Sequence, residues 1–161
     1  MGKVLSLDEM RMVRQQLKRD GKKLVFTNGC FDLIHRGHVE YLKKAKAFGD
    51  ALLVGLNSDQ SVRKIKGDGR PIINENDRSF ILANLVPVDF VCLFQEETPL
   101  HLISTVVPDV LVKGADWKID DIVGKDVVER AGGRVATVEY VENHSTSEII
   151  EKIVQQHEKK S

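Results

Sequence analysis

Five short apolar runs punctuate the chain: Lys23–Thr27 (KLVFT), Ala51–Leu56 (ALLVGL), Val88–Phe94 (VDFVCLF), Asp109–Lys113 (DVLVK) and Arg134–Tyr140 (RVATVEY). Each is near-continuous rather than alternating, the pattern of a β-strand covered on both faces. Helical periodicity fills the intervals. Before the first run, Ser6 and Glu9 stand at the spacing of a capping box, Met10, Val13 and Leu17 recur on one face, and Gly21 marks the stop. After it, a helix is predicted to begin near Gly37, with Val39, Tyr41, Leu42, Ala45 and Phe48 as its apolar side. Asp59 belongs to the cap of a helix behind the second run, and a segment over 76–85 carries Phe80, Ile81 and Leu85. Thr98-Pro99 opens another helix, proline being suited to a first turn. A short helix over 125–131 ends at Gly132-Gly133, and Ser145 with Glu148 repeats the capping box before Ile149, Ile150, Ile153 and Val154.

Strands alternating with helices predict an α/β fold: a doubly wound, Rossmann-like parallel sheet of about five strands, with right-handed crossovers and helices on both faces. No internal repeat, low-complexity tract or linker interrupts the pattern. Residues 1–161 therefore read as a single domain with its core over about 22–153, and the tail His157–Ser161 is expected to fray.

Composition narrows the function classes. Hydrophobic residues make up 42% and charged residues 30%, which excludes wholesale disorder. Twenty-four Lys plus Arg balance twenty-four Asp plus Glu, so there is no global attraction to nucleic acid or to an anionic membrane, and neither is expected as a partner. No apolar stretch has the length of a membrane span, and the N-terminus lacks the apolar core of a signal peptide. Cys30 and Cys92 do not make a disulfide scaffold, and a reducing cytoplasm is the expected location. Cys92, inside an apolar run, reads as core.

Open parallel sheets bind ligands outside the carboxyl ends of their strands. The first run is followed there by Thr27-Asn28-Gly29-Cys30-Phe31-Asp32-Leu33-Ile34-His35-Arg36-Gly37-His38, a polar, glycine-containing segment that feeds a helix. Free backbone N–H groups and the positive end of that helix make an anion site. His35 and His38, three residues apart, can point the same way beside it. Gly37 between them removes a side chain where a ligand approaches the backbone. Neither G-x-x-x-x-G-K-[ST] nor G-x-G-x-x-G occurs, so neither common phosphate-binding loop accounts for the segment. Cys30 with the two histidines supplies only three zinc ligands, at a spacing that fits no common zinc pattern, and no protein-held metal site is expected. Asp32 either fixes the loop by accepting backbone hydrogen bonds or contacts substrate.

The string Gly29-Cys30-Phe31-Asp32-x-x-His35-x-Gly37-His38 resembles the signature of the HxGH, or cytidylyltransferase-like, nucleotidyltransferases. Ser145-Thr146-Ser147 resembles the second motif of that superfamily, and the likeness spans Lys22 to Ile153. More narrowly, Thr27–Asp32, Lys66-Gly67-Asp68-Gly69-Arg70-Pro71 and Leu111–Trp117 resemble the D-glycero-β-D-manno-heptose 1-phosphate adenylyltransferases. In many bacteria that activity is fused to a sugar kinase, for which this chain is too short, so it resembles the stand-alone form.

The resemblance implies transfer of AMP from ATP to heptose 1-phosphate, giving ADP-heptose for lipopolysaccharide or surface polysaccharide, with in-line attack and no covalent enzyme intermediate. Catalysis of that kind is mainly positioning and charge stabilisation. His35 and His38 would donate hydrogen bonds to the triphosphate, with Lys64 as a third catalytic group. Thr27, Asn28, Gly29, Cys30, Phe31, Asp32 and Gly37 would line the phosphate pocket. Lys66, beside Lys64, would clamp phosphate from the opposite side, and Arg78 would add a second positive charge. Lys113, Gly114, Asp116 and Trp117 would hold nucleotide or acceptor groups. Ser145, Thr146 and Ser147 would offer a second helix N-terminus.

Mg²⁺ is implied as a cofactor carried mainly by the ATP phosphates, as is a homo-oligomeric assembly. Two rivals stand beside this reading: a cytidylyltransferase acting on glycerol 3-phosphate or a related small phosphate, and a nucleotide-binding module without catalysis. Val141-Glu142-Asn143 stands where cytidylyltransferases often carry an arginine, and His144 where an aliphatic residue is common, which weakens the first rival. Blander roles also remain for several residues: N-capping for Ser145–Ser147, surface solvation for the two lysines, and packing for Trp117.

Overall fold

The computed structural model describes residues 1–139 and 145–158. The elements run β1 (Lys3–Val4), α1 (Leu7–Arg19), β2 (Leu24–Gly29), α2 (Arg36–Lys46), β3 (Ala51–Asn57), α3 (Asp59–Lys66), α4 (Glu75–Ala83), β4 (Phe90–Phe94), α5 (Leu100–Val106), β5 (Val110–Gly114), α6 (Lys125–Arg130), β6 (Arg134–Val138) and α7 (Thr146–Glu158), with a 3₁₀ turn at Ile119–Asp121. The five apolar runs became β2 to β6, trimmed or extended by a residue or two. Tyr140 of the last run, the stretch Val141–His144 and residues 159–161 of the tail lie outside the described residues, while His157 continues α7. Both capping boxes form: Ser6 with Glu9 at α1, and Ser145 with Glu148 at α7.

Among the described residues the sheet has six strands, one more than expected, in the order β1-β4-β3-β2-β5-β6, and every pairing is parallel. The additional strand is the edge pair Lys3 and Val4, which lie beside Phe90 and Val91. Two residues have no period to read, so only the tertiary partner reveals them. The continuous hydrophobicity of the strands follows from burial on both faces. Val25, Leu52 and Val54 pack with Tyr41, Leu42 and Leu82 on one side. Leu24, Phe26 and Leu53 pack with Met10, Ile103 and Val128 on the other.

Chain order places a topological switch between β2 and β5. From β2 the chain winds through β3 and β4 on one side, then crosses back to β5 and β6 on the other. β2 pairs with β3 from Leu24↔Ala51 to Gly29↔Leu56, but with β5 only at Val25↔Val110 and Phe26↔Leu111. The two strands therefore part toward their carboxyl ends, where such sheets take ligands. Their amino-terminal ends are held together. Buried Arg14 of α1 donates two bonds to Asp109, at 2.8 and 3.0 Å, and others to the carbonyls of Val106 and Val107; Asp109 also accepts the Leu24 N–H. Burial alone would raise the Asp109 carboxyl, but these donors outweigh it and hold the pKa below the usual value.

Candidate active site

The crevice begins where β2 ends. Phe31 takes a left-handed backbone (φ 43), an uncommon and strained state for a bulky residue, and its side chain is 6% exposed. Its ring folds back over Gly29, where an added Cβ would fall 2.9 Å from the ring. This turn sends the chain toward α2. His35 is the extended residue preceding the helix and His38 lies in its first turn. Their rings stack, with centroids 3.8 Å apart and planes 28° from parallel, and the Phe31 ring centre stands 5.2 Å from that of His38, tilted by 59°.

Burial pushes the His38 pKa down to about 4, helped by the neighbouring His35 and opposed by Asp32. His38 is therefore neutral at pH 7. Its Nδ1 atom, and Oδ1 of Asn28 at the end of β2, are buried without a hydrogen-bond partner among the described residues. Buried polar atoms without partners are rare in folded proteins. Here two of them lie at the carboxyl end of β2 and the N-terminus of α2, where a polar ligand would satisfy them.

Other residues of the segment hold the crevice rather than line it. Thr27 was expected in the phosphate pocket, yet it is fully buried, its Oγ1 2.8 Å from the Tyr41 hydroxyl, which donates in turn to the Val112 carbonyl. This relay joins β2, α2 and β5 at the level where the strands separate, and forms the crevice floor. Tyr41 was read only as an apolar helix position; nothing local signals its cross-sheet bond.

Arg78 is likewise corrected. No part of it reaches solvent: Nε donates to the Ile73 carbonyl, Nη1 to the Cys30 carbonyl and Nη2 to Asp59 at 2.7 Å. A guanidinium engaged at all three nitrogens cannot serve as a phosphate clamp, and instead ties α4 to the loop after β2 and to α3.

Asp32 takes the structural role that stood open for it. Its carboxylate accepts the N–H groups of Ile72 and Ile73 at 2.9 Å and Nε of Arg70 at 2.6 Å. Burial would raise its pKa, but these donors more than compensate and keep it ionised below the usual range. Arg70 was not singled out from the sequence, because an ion pair across 38 positions has no local signature. Burial raises the Cys30 thiol against the opposing charges of Lys66, Arg78 and Arg70, so it stays protonated at neutral pH. Both cysteines are free thiols, and Cys92 is buried as expected.

Lys64 and Lys66 occupy the exposed last turn of α3, and Lys66 is the one whose charge acts on Cys30. On the β5 side of the crevice, Lys113 places its ammonium 5.2 Å from the centre of the Trp117 ring, a cation–π contact. Burial lowers its pKa to about 8, while Asp116 and Cys30 act in the opposite direction. Gly114 is buried at the end of β5, and Trp117 is 46% exposed. Gly37 is buried inside α2, directly between the two histidines in sequence. Ser145 caps α7, with Thr146 and Ser147 in its first turn, and no hydrogen bond or ring contact among the described residues joins these three to the histidines.

The cytidylyltransferase-like family model matches residues 26–152. The chain belongs to the cytidylyltransferase-like family. Its relatives include the bifunctional protein HldE of Geotalea uraniireducens, 57% identical over 151 residues, and that of Geobacter metallireducens, 55% identical over 152. In each case the match covers 94% of this chain and 31% of the relative, so the chain spans about a third of the length of those proteins. Among solved structures, a lipopolysaccharide core biosynthesis protein from Thermoplasma volcanium is similar at 31% identity with a TM-score of 0.62, over 77% of this chain and all of that one. Family membership accords with the switch-point crevice and the stacked histidines. No helix among the described residues is long and apolar enough to cross a membrane.

Proposed function

We propose that the protein transfers AMP from ATP to D-glycero-β-D-manno-heptose 1-phosphate, releasing pyrophosphate and giving ADP-heptose in the cytoplasm. The observation that carries this reading is the stacked histidine pair at the N-terminus of α2, on the mouth of the β2–β5 crevice. The 57% identity to HldE and the likeness to a lipopolysaccharide core biosynthesis protein support the choice of sugar.

In the proposed reaction a phosphate oxygen of the sugar attacks the α-phosphorus in line. One P–O bond forms there as the bond to the β-phosphate bridging oxygen breaks, and the electron pair leaves with pyrophosphate. The neutral His38 imidazole has one N–H to donate to the charge that builds on the departing phosphates, and His35 stacked on it offers another donor. The bound polyanion itself favours protonation of the rings, which strengthens those bonds as charge shifts. N–H groups of the α2 amino terminus add fixed positive potential. Lys113 and Trp117 hold the nucleotide or acceptor from the β5 side. Mg²⁺ carried on the triphosphate would neutralise phosphate charge; Asp32 is engaged by Arg70, Ile72 and Ile73, so this loop's carboxylate would not be one of its ligands.

The test is pyrophosphate release with Mg²⁺, each nucleoside triphosphate and a panel of phosphorylated acceptors. Turnover is expected with ATP and heptose 1-phosphate, and His38→Ala is expected to lower it about 10²–10³-fold with the fold intact. CTP with glycerol 3-phosphate as the productive pair, or nucleotide binding without turnover, would replace the proposal.

A further inference from the structure

Around Cys30 the loops bring together the charges of Lys66, Arg78, Arg70 and Asp32. Their bonding is unequal. Arg78 is consumed by two carbonyls and Asp59. Asp32 is consumed by two backbone N–H groups and one guanidinium nitrogen. Arg70 is different: its side chain is only 17% exposed, its Nε is fixed on a carboxylate that is 0% exposed, and Nη1 and Nη2 donate to nothing among the described residues. A largely covered guanidinium that uses one N–H on an anchor and keeps a forked pair of amino groups open is prepared for a second anion. The anchor removes most of the rotamer freedom that binding would otherwise have to freeze.

The anchor also fixes where that fork lies. Asp32 sits three residues before His35, and its charge acts on His38. Arg70 therefore belongs to the rim of the histidine crevice, although it arrives from the segment between α3 and α4. That segment is held from its carboxyl side by Ile72 and Ile73 on Asp32 and by the Arg78 bond to the Ile73 carbonyl. On its other side are Gly67, at φ +93, and Gly69, both facing open space.

We propose that Arg70 is a substrate-binding residue whose Nη1 and Nη2 groups grip a phosphate of the bound substrate while Nε stays on Asp32. The proposal rests on the nucleotidyl-transfer reading, and the phosphate is either one of the triphosphate or that of the acceptor. It is a contact distinct from the histidines, and it gives Asp32 a purpose: the carboxylate positions Arg70 rather than meeting the substrate.

Arg70→Gln separates a ligand-binding role from a loop-holding one, because the amide still offers a donor to Asp32 while the charge and the fork are gone. Tripolyphosphate affinity by calorimetry and separate KM values for ATP and heptose 1-phosphate are the readouts, with the unfolding midpoint as a control. One of the two KM values should rise about 10–100-fold, the scale of losing one charged hydrogen-bonding pair. A rise for ATP together with weaker tripolyphosphate binding assigns the fork to the nucleotide; a rise for the sugar phosphate alone assigns it to the acceptor. Arg70→Lys keeps the ion pair without the fork and should fall between, and it carries the test should the glutamine variant fail to fold. Folded variants with both KM values and tripolyphosphate affinity unchanged overturn the inference alone. A wild-type protein that binds neither ATP nor tripolyphosphate overturns the nucleotidyl-transfer reading and this inference with it.

Discussion

Lys113 holds its charge where the surroundings oppose it. Burial lowers its pKa to about 8, with Asp116 and Cys30 pulling the other way. A lysine with a lowered pKa loses its proton as the pH rises through that value, so the crevice should lose attraction for phosphate on the alkaline side. We expect kcat/KM, which reports the free enzyme, to fall above about pH 8. Lys113→Arg should carry the plateau to higher pH, because a guanidinium stays charged throughout. An unchanged alkaline limb in that variant would remove Lys113 from substrate binding. At this scale the sequence was informative about residues that act on neighbours three or four positions away. The His35–His38 stack joins the residue that precedes α2 to the first turn of that helix, three positions on. It was uninformative about Thr27 and Arg78, whose polar atoms look available for a ligand in the sequence and are taken by the Tyr41 hydroxyl of α2 and by the Cys30 carbonyl.

Helix α4 is docked by that arginine. Its interior guanidinium spans three partners, the Ile73 carbonyl, the Cys30 carbonyl and Asp59 of α3, and so fastens two helices to the loop that carries the histidines. Breaking such a pair leaves an uncompensated carboxylate and two carbonyls without donors. Arg78→Met should therefore destabilise the protein by about 3 kcal/mol in urea denaturation. If Arg78 were a phosphate clamp instead, the variant would keep its stability and lose substrate affinity. Most elements could be placed from capping signals and apolar periodicity, since these are local properties of eight to fifteen residues. The edge strand β1 could not, because its two residues are a strand only by virtue of pairing with β4.

Stability of the whole molecule should depend on pH through His38. Its folded pKa of about 4 lies below the ordinary value of 6.5, so between those values the unfolded chain binds more protons. Stability is then complete above about pH 6.5 and declines as the pH falls toward 4. The loss is of order 2 kcal/mol, since about 1.4 kcal/mol accompanies each pH unit and the ring is partly solvated. Asp32 and Asp109 act in a lower window, with pKa values held below 3.8, and contribute until the pH falls beneath that value. Urea midpoints at pH 7, 5.5 and 4.5 should therefore converge in His38→Gln and separate in the wild type; equal slopes would mean that the ring is not buried neutral.

By itself, the amino-acid order determined all the strands but β1 and most of the helices, that the sheet is buried on both faces, and which polar, glycine-containing segment follows the first long strand. These depend on periodicity and on residues close in the chain. Only the tertiary structure decided that β2 and β5 part beyond Phe26 and Leu111, that Asp32 reaches Arg70 across 38 positions, and that Arg14 closes the far end on Asp109. Those contacts join residues with no periodic relation, and each polar atom finds its partner only once burial has removed water as the alternative.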